Sequence, residues 1–135
     1  MTLALPAAVS LSLSLSGCGG GDVACNAVGY SNLLSVEVKS DLPIGSVVID
    51  LPDEDADLTQ SERQTYYGSG PMEHAADGTW QSSLNVVVPA TVTLQVLDPV
   101  GATIAETEVH PEWIRVGGTE QCGGPHEATV EIHVP

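Results

Sequence analysis

The chain has 135 residues and a formal net charge of −15, with only three cationic side chains, Lys39, Arg63 and Arg115. So acidic a chain argues against nucleic-acid binding, because phosphate contacts need clustered Lys and Arg, and against electrostatic docking on anionic lipid. The length suits one domain with a single hydrophobic core.

The first apolar segment, Leu3 to Leu15, is too short for a membrane-spanning helix, which needs about 20 residues. Its end, Leu15-Ser16-Gly17-Cys18, resembles the lipobox of bacterial lipoproteins, in which a small-residue pair precedes a cysteine that is lipidated and becomes the new N-terminus. The resemblance implies a signal peptide at residues 1–17, lipidation of Cys18 and a flexible tether at residues 18–24. The segment departs from the usual signal pattern in one respect, since no Lys or Arg precedes the apolar run. The alternatives are an ordinary signal peptide and a buried N-terminal strand.

The other two cysteines, Cys25 and Cys122, form an even pair, which in an exported and oxidising setting predicts a disulfide. This bond would tie the start of the domain, residues 25–135, to its last loop. Two free thiols are the alternative. A metal site is disfavoured because the pair lacks the close CxxC spacing of zinc ligands.

Alternating apolar and polar residues predict strands along the whole domain. A strong turn is predicted at Asp98-Pro99-Val100-Gly101, with Pro at the second position and Gly at the fourth, as in a type I turn. Further turns are predicted at residues 68–71 and 75–78, and a helical turn near residues 58–63. The predicted strands are residues 33–39, 45–51, 65–67, 79–88, 91–97, 102–109, 113–116 and 128–134.

Six to eight short strands with frequent turns predict an all-β fold, an antiparallel two-sheet sandwich. The pattern Val-x-Leu-x-Val-x-Asp-Pro-x-Gly within residues 91–109 resembles the hairpin of transthyretin-like and carboxypeptidase regulatory-like domains. The resemblance implies a Greek-key sandwich of about seven strands, an architecture shared with immunoglobulin-like domains. The whole chain also resembles small uncharacterised actinobacterial lipoproteins, in its lipobox and in residues 24–30 and 120–125, and this likeness implies no known activity.

The acidic stretch at residues 50–57 is the first candidate for chemistry. Asp53, Asp55 and Asp57 have the alternate spacing of the first ligands in a calcium loop. The sixth and twelfth positions of such a loop, however, lack the required Gly and bidentate Glu. A solvated acidic loop is therefore favoured over a calcium site.

Histidines are the second candidate, as parts of a hydrolase site assembled in space. No two of them have the i, i+2 or i, i+4 spacing of a transition-metal motif. Residues 67–71 do not match the G-x-S-x-G elbow of hydrolases, so a turn is favoured there. We expect His133 on the polar face of its strand, His110 at a strand end, and the other two in loops: His74 and His126.

Two aromatic features complete the prediction. Trp80 leads an alternating apolar face and is predicted in the core, whereas Tyr66 and Tyr67 are candidates for an exposed recognition patch. Together these features predict a lipoprotein on the extracytoplasmic face of the cell membrane, a non-enzymatic binding or envelope-structural module with an unknown envelope partner and no cofactor. The alternatives are a calcium-binding module using residues 50–57 and a small hydrolase.

Overall fold

The computed structural model describes residues 24–25, 29–51, 59, 61–62, 68–85 and 87–135. Within these residues the strands form a five-stranded sheet, in the order β4-β5-β1-β9-β8, and a four-stranded sheet, in the order β3-β2-β6-β7. The prediction of an all-β, two-sheet sandwich is confirmed. The strands are β1 (Asn32–Lys39), β2 (Ser46–Asp50), β3 (Gly70–Pro71), β4 (Glu73–His74), β5 (Trp80–Leu84), β6 (Val92–Leu97), β7 (Thr103–Val109), β8 (Ile114–Arg115) and β9 (His126–His133).

The core lies between the two sheets and is built from the residues that alternate inward. Each buried aliphatic side chain stabilises the fold by about 1.5–3 kcal/mol. Trp80 is buried as predicted, and Trp113 packs against the core while partly exposed. The buried apolar residues are Leu34, Val36, Val47, Ile49, Leu51, Met72, Trp80, Leu84, Val92, Leu94, Val96, Ala128, Ile132 and Val134.

Two details of the predicted sandwich are wrong. The described strands number nine rather than about seven, because β3 and β4 form within residues 70–74, part of which was predicted as a turn. The sheets are also not wholly antiparallel, since β1 and β9 pair in parallel from Leu33 opposite Glu127 to Lys39 opposite His133. Alternation specifies which face of a strand is buried but not the direction of its neighbour, so this pairing left no signal in the sequence.

The parallel pair gives the sandwich two distinct ends. At one end β1 and β9 begin, and there the His126 N–H donates to Asn32 Oδ1 at 2.8 Å. At the other end they finish, and the Val134 N–H donates to the Lys39 carbonyl at 2.8 Å. We call the first the disulfide end, which holds Cys25, Tyr30 and residues 85, 87–91, 110–113 and 116–125. We call the second the opposite end, which holds residues 40–45, 75–78 and 98–101.

The hairpin of β6 and β7 forms as predicted, with one irregularity. The Gly101 N–H donates to the Asp98 carbonyl at 3.0 Å, and Asp98 Oδ1 accepts from the Ala102 N–H at 2.9 Å. The register shifts by one residue after this turn. As a result Thr103, which strict alternation would place on the same face as Ala105, is exposed, while the neighbours Ile104 and Ala105 both pack against the core.

Strand β5 is shorter than predicted. It ends at Leu84, whereas the sequence predicted a strand to residue 88. The carbonyls of Asn85 and Val87 accept hydrogen bonds from the buried Asn32 side chain instead of extending the backbone pairing of β5 with β1. Val88 is left exposed at the disulfide end.

A capping box agrees with the predicted helical turn near residues 58–63. Ser61 and Glu62 have helical backbone conformation. Glu62 Oε2 accepts from the Thr59 N–H at 2.8 Å, and the Glu62 N–H donates to Thr59 Oγ1 at 3.3 Å. The backbone hydrogen bond from Thr59, followed by the bond from its hydroxyl, lowers the pKa of Glu62.

The turn between β4 and β5 contains a second perturbed carboxylate. Asp77 Oδ1 accepts from Thr79 Oγ1 at 2.7 Å and from the Thr79 N–H at 2.9 Å. The hydroxyl bond, followed by the backbone bond, lowers the pKa of Asp77. Both bonds favour the charged carboxylate and so stabilise the turn when Asp77 is ionised.

We predict that Thr79→Val raises the pKa of Asp77 toward its ordinary value, whereas Thr79→Ser leaves it low. Because the folded pKa lies below the unfolded one, the stabilisation is present above the unfolded pKa and is lost as the pH falls through the folded pKa. An NMR titration of the Asp77 carboxyl carbon measures the shift. The same midpoint in the Val variant and the native protein would contradict this account.

Candidate functional site

The disulfide end is the candidate site, because the predicted cysteine pair, the buried Asn32 side chain and the start of β9 at His126 meet there. Cys25 and Cys122 form the predicted disulfide, with their Cα atoms 5.3 Å apart and 97 positions apart in the chain. A cross-link of this span stabilises a fold by about 4–5 kcal/mol in the chain-entropy model. The bond fixes the segment before β1 to the loop before β9.

The loop that carries Cys122 is held by two pairs of glycines. A Cβ on Gly124 would lie 2.1 Å from the Gly117 carbonyl oxygen, and one on Gly118 would lie 2.0 Å from the Gly123 carbonyl oxygen. Gly118 and Gly123 also have positive φ angles. The two arms of the loop therefore approach more closely than side chains permit, and this approach sets the position of Cys122.

Asn32 is the buried polar centre of this end, with no exposed surface. Its Nδ2 donates to the carbonyls of Asn85 at 3.1 Å and Val87 at 2.8 Å. Its Oδ1 accepts from the His126 N–H at 2.8 Å. One side chain thus joins β1 to the segment after β5 and to the start of β9.

Sequence reasoning missed Asn32, although a signal was present. Asn32 precedes Leu34 and Val36 by two and four positions, so it falls on the inward face of the strand. A polar residue in phase with a buried apolar face needs hydrogen-bond partners, because an unsatisfied buried amide is costly. The same alternation that located the strand could have predicted a buried clamp at its start.

A second bond joins two loops at this end. Trp113 Nε1 donates to the Pro89 carbonyl at 2.8 Å. Each of the two bonded residues has an exposed apolar neighbour in the chain. Val88 precedes Pro89, and Ile114 follows Trp113. Val116 is exposed as well, while its N–H donates to the Pro125 carbonyl at 2.8 Å.

The four histidines lie apart from one another. His74, predicted in a loop, instead lies in β4 and stacks on Trp80 with ring centroids 4.3 Å apart. His110 Nδ1 lies 3.3 Å from Thr91 Oγ1. His133 is exposed on β9 as predicted, with Nε2 2.8 Å from Glu131 Oε1. His126, predicted in a loop, instead begins β9, and its Nδ1 is buried without a hydrogen-bond partner in the described part of the chain.

The remaining predicted site residues fall outside the described ranges. These are the lipidation candidate, the three calcium-ligand candidates and the tyrosine pair: Cys18, Asp53, Asp55, Asp57, Tyr66 and Tyr67. Among the residues that the structure does describe, no group of three or more His, Cys, Asp or Glu side chains could hold a metal ion. The calcium hypothesis therefore stays a prediction.

A shallow depression of about 430 Å³ lies at the opposite end, lined in part by Lys39, Asp41 and His133. Lys39 Nζ pairs with Glu37 Oε1, and this hydrogen bond, together with the charge on Glu37, raises the pKa of Lys39. The depression is open, and its one lysine is already occupied by a carboxylate. It has the character of a surface hollow rather than a built pocket.

No known family model matches the chain, and no curated protein or solved structure shows significant similarity to it. Within the described residues, no helix has the length and apolar character needed to cross a bilayer. The likeness to transthyretin-like domains and to actinobacterial lipoproteins therefore stays a prediction.

We predict that Asn32→Ala destabilises the domain by about 2–4 kcal/mol, because it removes three hydrogen bonds and leaves buried partners unsatisfied. Chemical denaturation under non-reducing conditions measures the change. The control is Ser83→Ala, an exposed position on β5, where a change within about 0.5 kcal/mol is expected. Equal stability of the two variants would show that the Asn32 clamp has no energetic role.

We also predict that Gly124→Ala destabilises the domain by about 1–3 kcal/mol, because the new methyl group overlaps the Gly117 carbonyl. Gly29→Ala is the matched control, since a Cβ there would meet nothing within 4 Å. Thermal unfolding of both variants with the disulfide intact makes the comparison. A lower melting temperature for the Gly29 variant than for the Gly124 variant would refute the packing argument.

Proposed function

We propose that this protein is a lipoprotein attached through Cys18 to the extracytoplasmic face of the cell membrane, where its β-sandwich serves as a non-enzymatic binding or envelope-structural module. The observation that carries the proposal is the disulfide between Cys25 and Cys122. Structural disulfides form and persist in oxidising compartments outside the cytoplasm. A domain that uses one is suited to the compartment to which the lipobox-like sequence would deliver it.

The position of the disulfide supports the same proposal. Cys25 follows Cys18 by seven residues, so a lipid on Cys18 would lie close in the chain to the cross-linked end of the domain. The bond fastens that end to the body of the sandwich through Cys122. A pull on the N-terminal segment would thus act on a covalent link rather than on the first hydrogen bonds of β1.

The binding or structural part of the proposal is supported by how the reactive side chains are distributed. His126 and His133 mark the two ends of one strand, which separates them by about 23 Å, and His74 and His110 lie on or beside other strands. His133 and Lys39 pair with nearby carboxylates. This dispersal favours a surface that binds a partner over a site that assembles a nucleophile and base.

Substituting the lipidation candidate tests the anchor. Cys18→Ser should move the protein from the membrane fraction to the soluble fraction, because stable anchoring needs the acyl chains that the new residue cannot carry. Fractionation of host cells, with intact mass of the native protein, measures both effects. Native protein that begins at Cys18 with added acyl groups and no free thiol is the expected species.

The double variant Cys25→Ser with Cys122→Ser is the matched control. It should remain in the membrane fraction and unfold at a temperature several degrees lower, because it keeps the lipid and loses the cross-link. Membrane retention of the Cys18→Ser protein, or an unmodified native mass, would reject the anchor.

A further inference from the structure

Three of the four edges of the two sheets are very short, whereas the fourth is long. The edge strands β4, β8 and β3 contain two residues each, and β7 contains seven. Natural sheets limit unwanted pairing by shortening their edge strands, because an open edge presents unpaired N–H and C=O groups. Among the described strands, β7 is the edge that lacks this protection by length.

The outer side of β7 is open in the part of the chain that the structure describes. Its backbone pairs with β6, and no hydrogen bond between described residues joins it to another segment on the opposite side. The register shift next to Leu97 leaves a regular run at residues 105–109. A run of that length matches the usual length of a strand, about five residues, and so can pair with an added one.

The outer face of this edge is acidic, and the sheet behind it holds no cation. Glu106 and Glu108 are exposed and lie opposite Gln95 and Thr93, which alternate with the buried residues of β6. Asp50 on β2 lies opposite Thr93 on its other side, in the same row as Glu108. None of the four strands of this sheet contains a Lys or Arg.

The two glutamates keep most of their charge uncompensated. Glu106 Oε2 accepts from Gln95 Nε2 at 2.8 Å, and this amide is a neutral partner. Glu108 Oε1 lies 3.9 Å from His110 Nε2, which is beyond hydrogen-bond distance. Both carboxylates are therefore available to a cation on a neighbouring strand.

We propose that the outer edge of β7 binds an extended cationic segment of a partner protein, which adds to the four-stranded sheet as a further strand. Backbone hydrogen bonds to the edge hold the segment, and Lys or Arg side chains at alternate positions lie beside Glu106 and Glu108. The proposal rests on the binding role proposed above, and it does not depend on a lipid at Cys18.

The same glutamates disfavour a second copy of the chain as the occupant. Two antiparallel β7 strands centred on Glu106 or on Glu108 would set that residue opposite its own copy, and centring on Thr107 would set Glu106 opposite Glu108. Like charges directly opposite each other destabilise a strand pair, whereas opposite charges stabilise it. The formal net charge of −15 also repels a second copy and attracts a cationic partner.

The test titrates the full-length protein with a seven-residue peptide, capped at both ends, in which lysine alternates with threonine. Two-dimensional NMR of the backbone amides reports the binding. We expect the largest shifts at residues 105–109, together with slower hydrogen exchange of the amides on the open side of β7. The same peptide with glutamate in place of lysine should cause no shifts.

Two further peptides separate strand addition from attraction between charges. Both keep the lysines, and one carries N-methyl groups on its threonines, the other on its lysines. Because alternate N–H groups of a strand point to opposite sides, one peptide turns its methylated side to β7 and should not bind, whereas the other should bind. Equal affinity of the two would overturn the proposal.

A pair of double variants tests the role of the glutamates. Glu106→Gln with Glu108→Gln should weaken the binding of the lysine peptide by about 3–30-fold, because two cross-strand charge pairs are lost. Glu127→Gln with Glu131→Gln is the matched control, since it removes the same charge from exposed positions of the other sheet. An equal loss in both variants would show attraction to the net charge alone and would overturn the proposal.

The remaining outcomes are also decisive. Shifts at residues 105–109 that depend on protein concentration without peptide would show that a second copy occupies the edge, and would overturn the proposal. Membrane fractionation of the Cys18→Ser protein decides the anchor, and the peptide titration decides the edge. Each can therefore fail while the other holds.

Discussion

The parallel pairing of the first strand with the last is the constraint on which this fold depends. Strands β1 and β9 lie side by side in the middle of the five-stranded sheet, with β5 and β8 on their outer edges. Because the pair is parallel, both strands begin at the same end. The chain segments that directly precede β1 and β9 therefore meet at that end. The disulfide, the glycine-paired loop and the Asn32 clamp all follow from this single arrangement.

Non-local pairing of this kind carries a large entropic cost, since the two strands are separated by almost the whole domain. Three interactions offset that cost at the point where the pair begins. The Cys25–Cys122 bond limits the freedom of the unfolded chain, Asn32 bonds to the backbone of the partner strand, and Leu34 and Ala128 are buried beside each other in register. Losing any one of them leaves the other two to hold the ends of the strands together.

The alternation of apolar and polar residues was sufficient to predict which face of a strand is buried. The buried faces of β1, β2 and β6 follow the predicted period of two, and the turn at Asp98 has the chemistry that its residues demand. The direction of a strand, the identity of its neighbour and the position of a register shift are not encoded in that way. The parallel pair, the shifted register in β7 and the two-residue strands β3 and β4 depend on contacts between distant residues. Val87 and Val88 show the converse error. Their side chains favour a strand, but the Val87 carbonyl instead accepts a hydrogen bond from the Asn32 side chain.

The candidate site likewise combines features that the local sequence predicts with features that depend on contacts between distant residues. The cysteine pair could be predicted, because two cysteines remain once Cys18 is assigned to the lipobox-like sequence, and an even pair favours a disulfide. The exposure of Val88 could not, since Val88 was assigned to a strand and its exposure follows from the early end of β5. The buried position of Asn32 follows from its phase with Leu34 and Val36. Its three hydrogen-bond partners lie 53, 55 and 94 positions away in the chain, so only the folded structure could identify them.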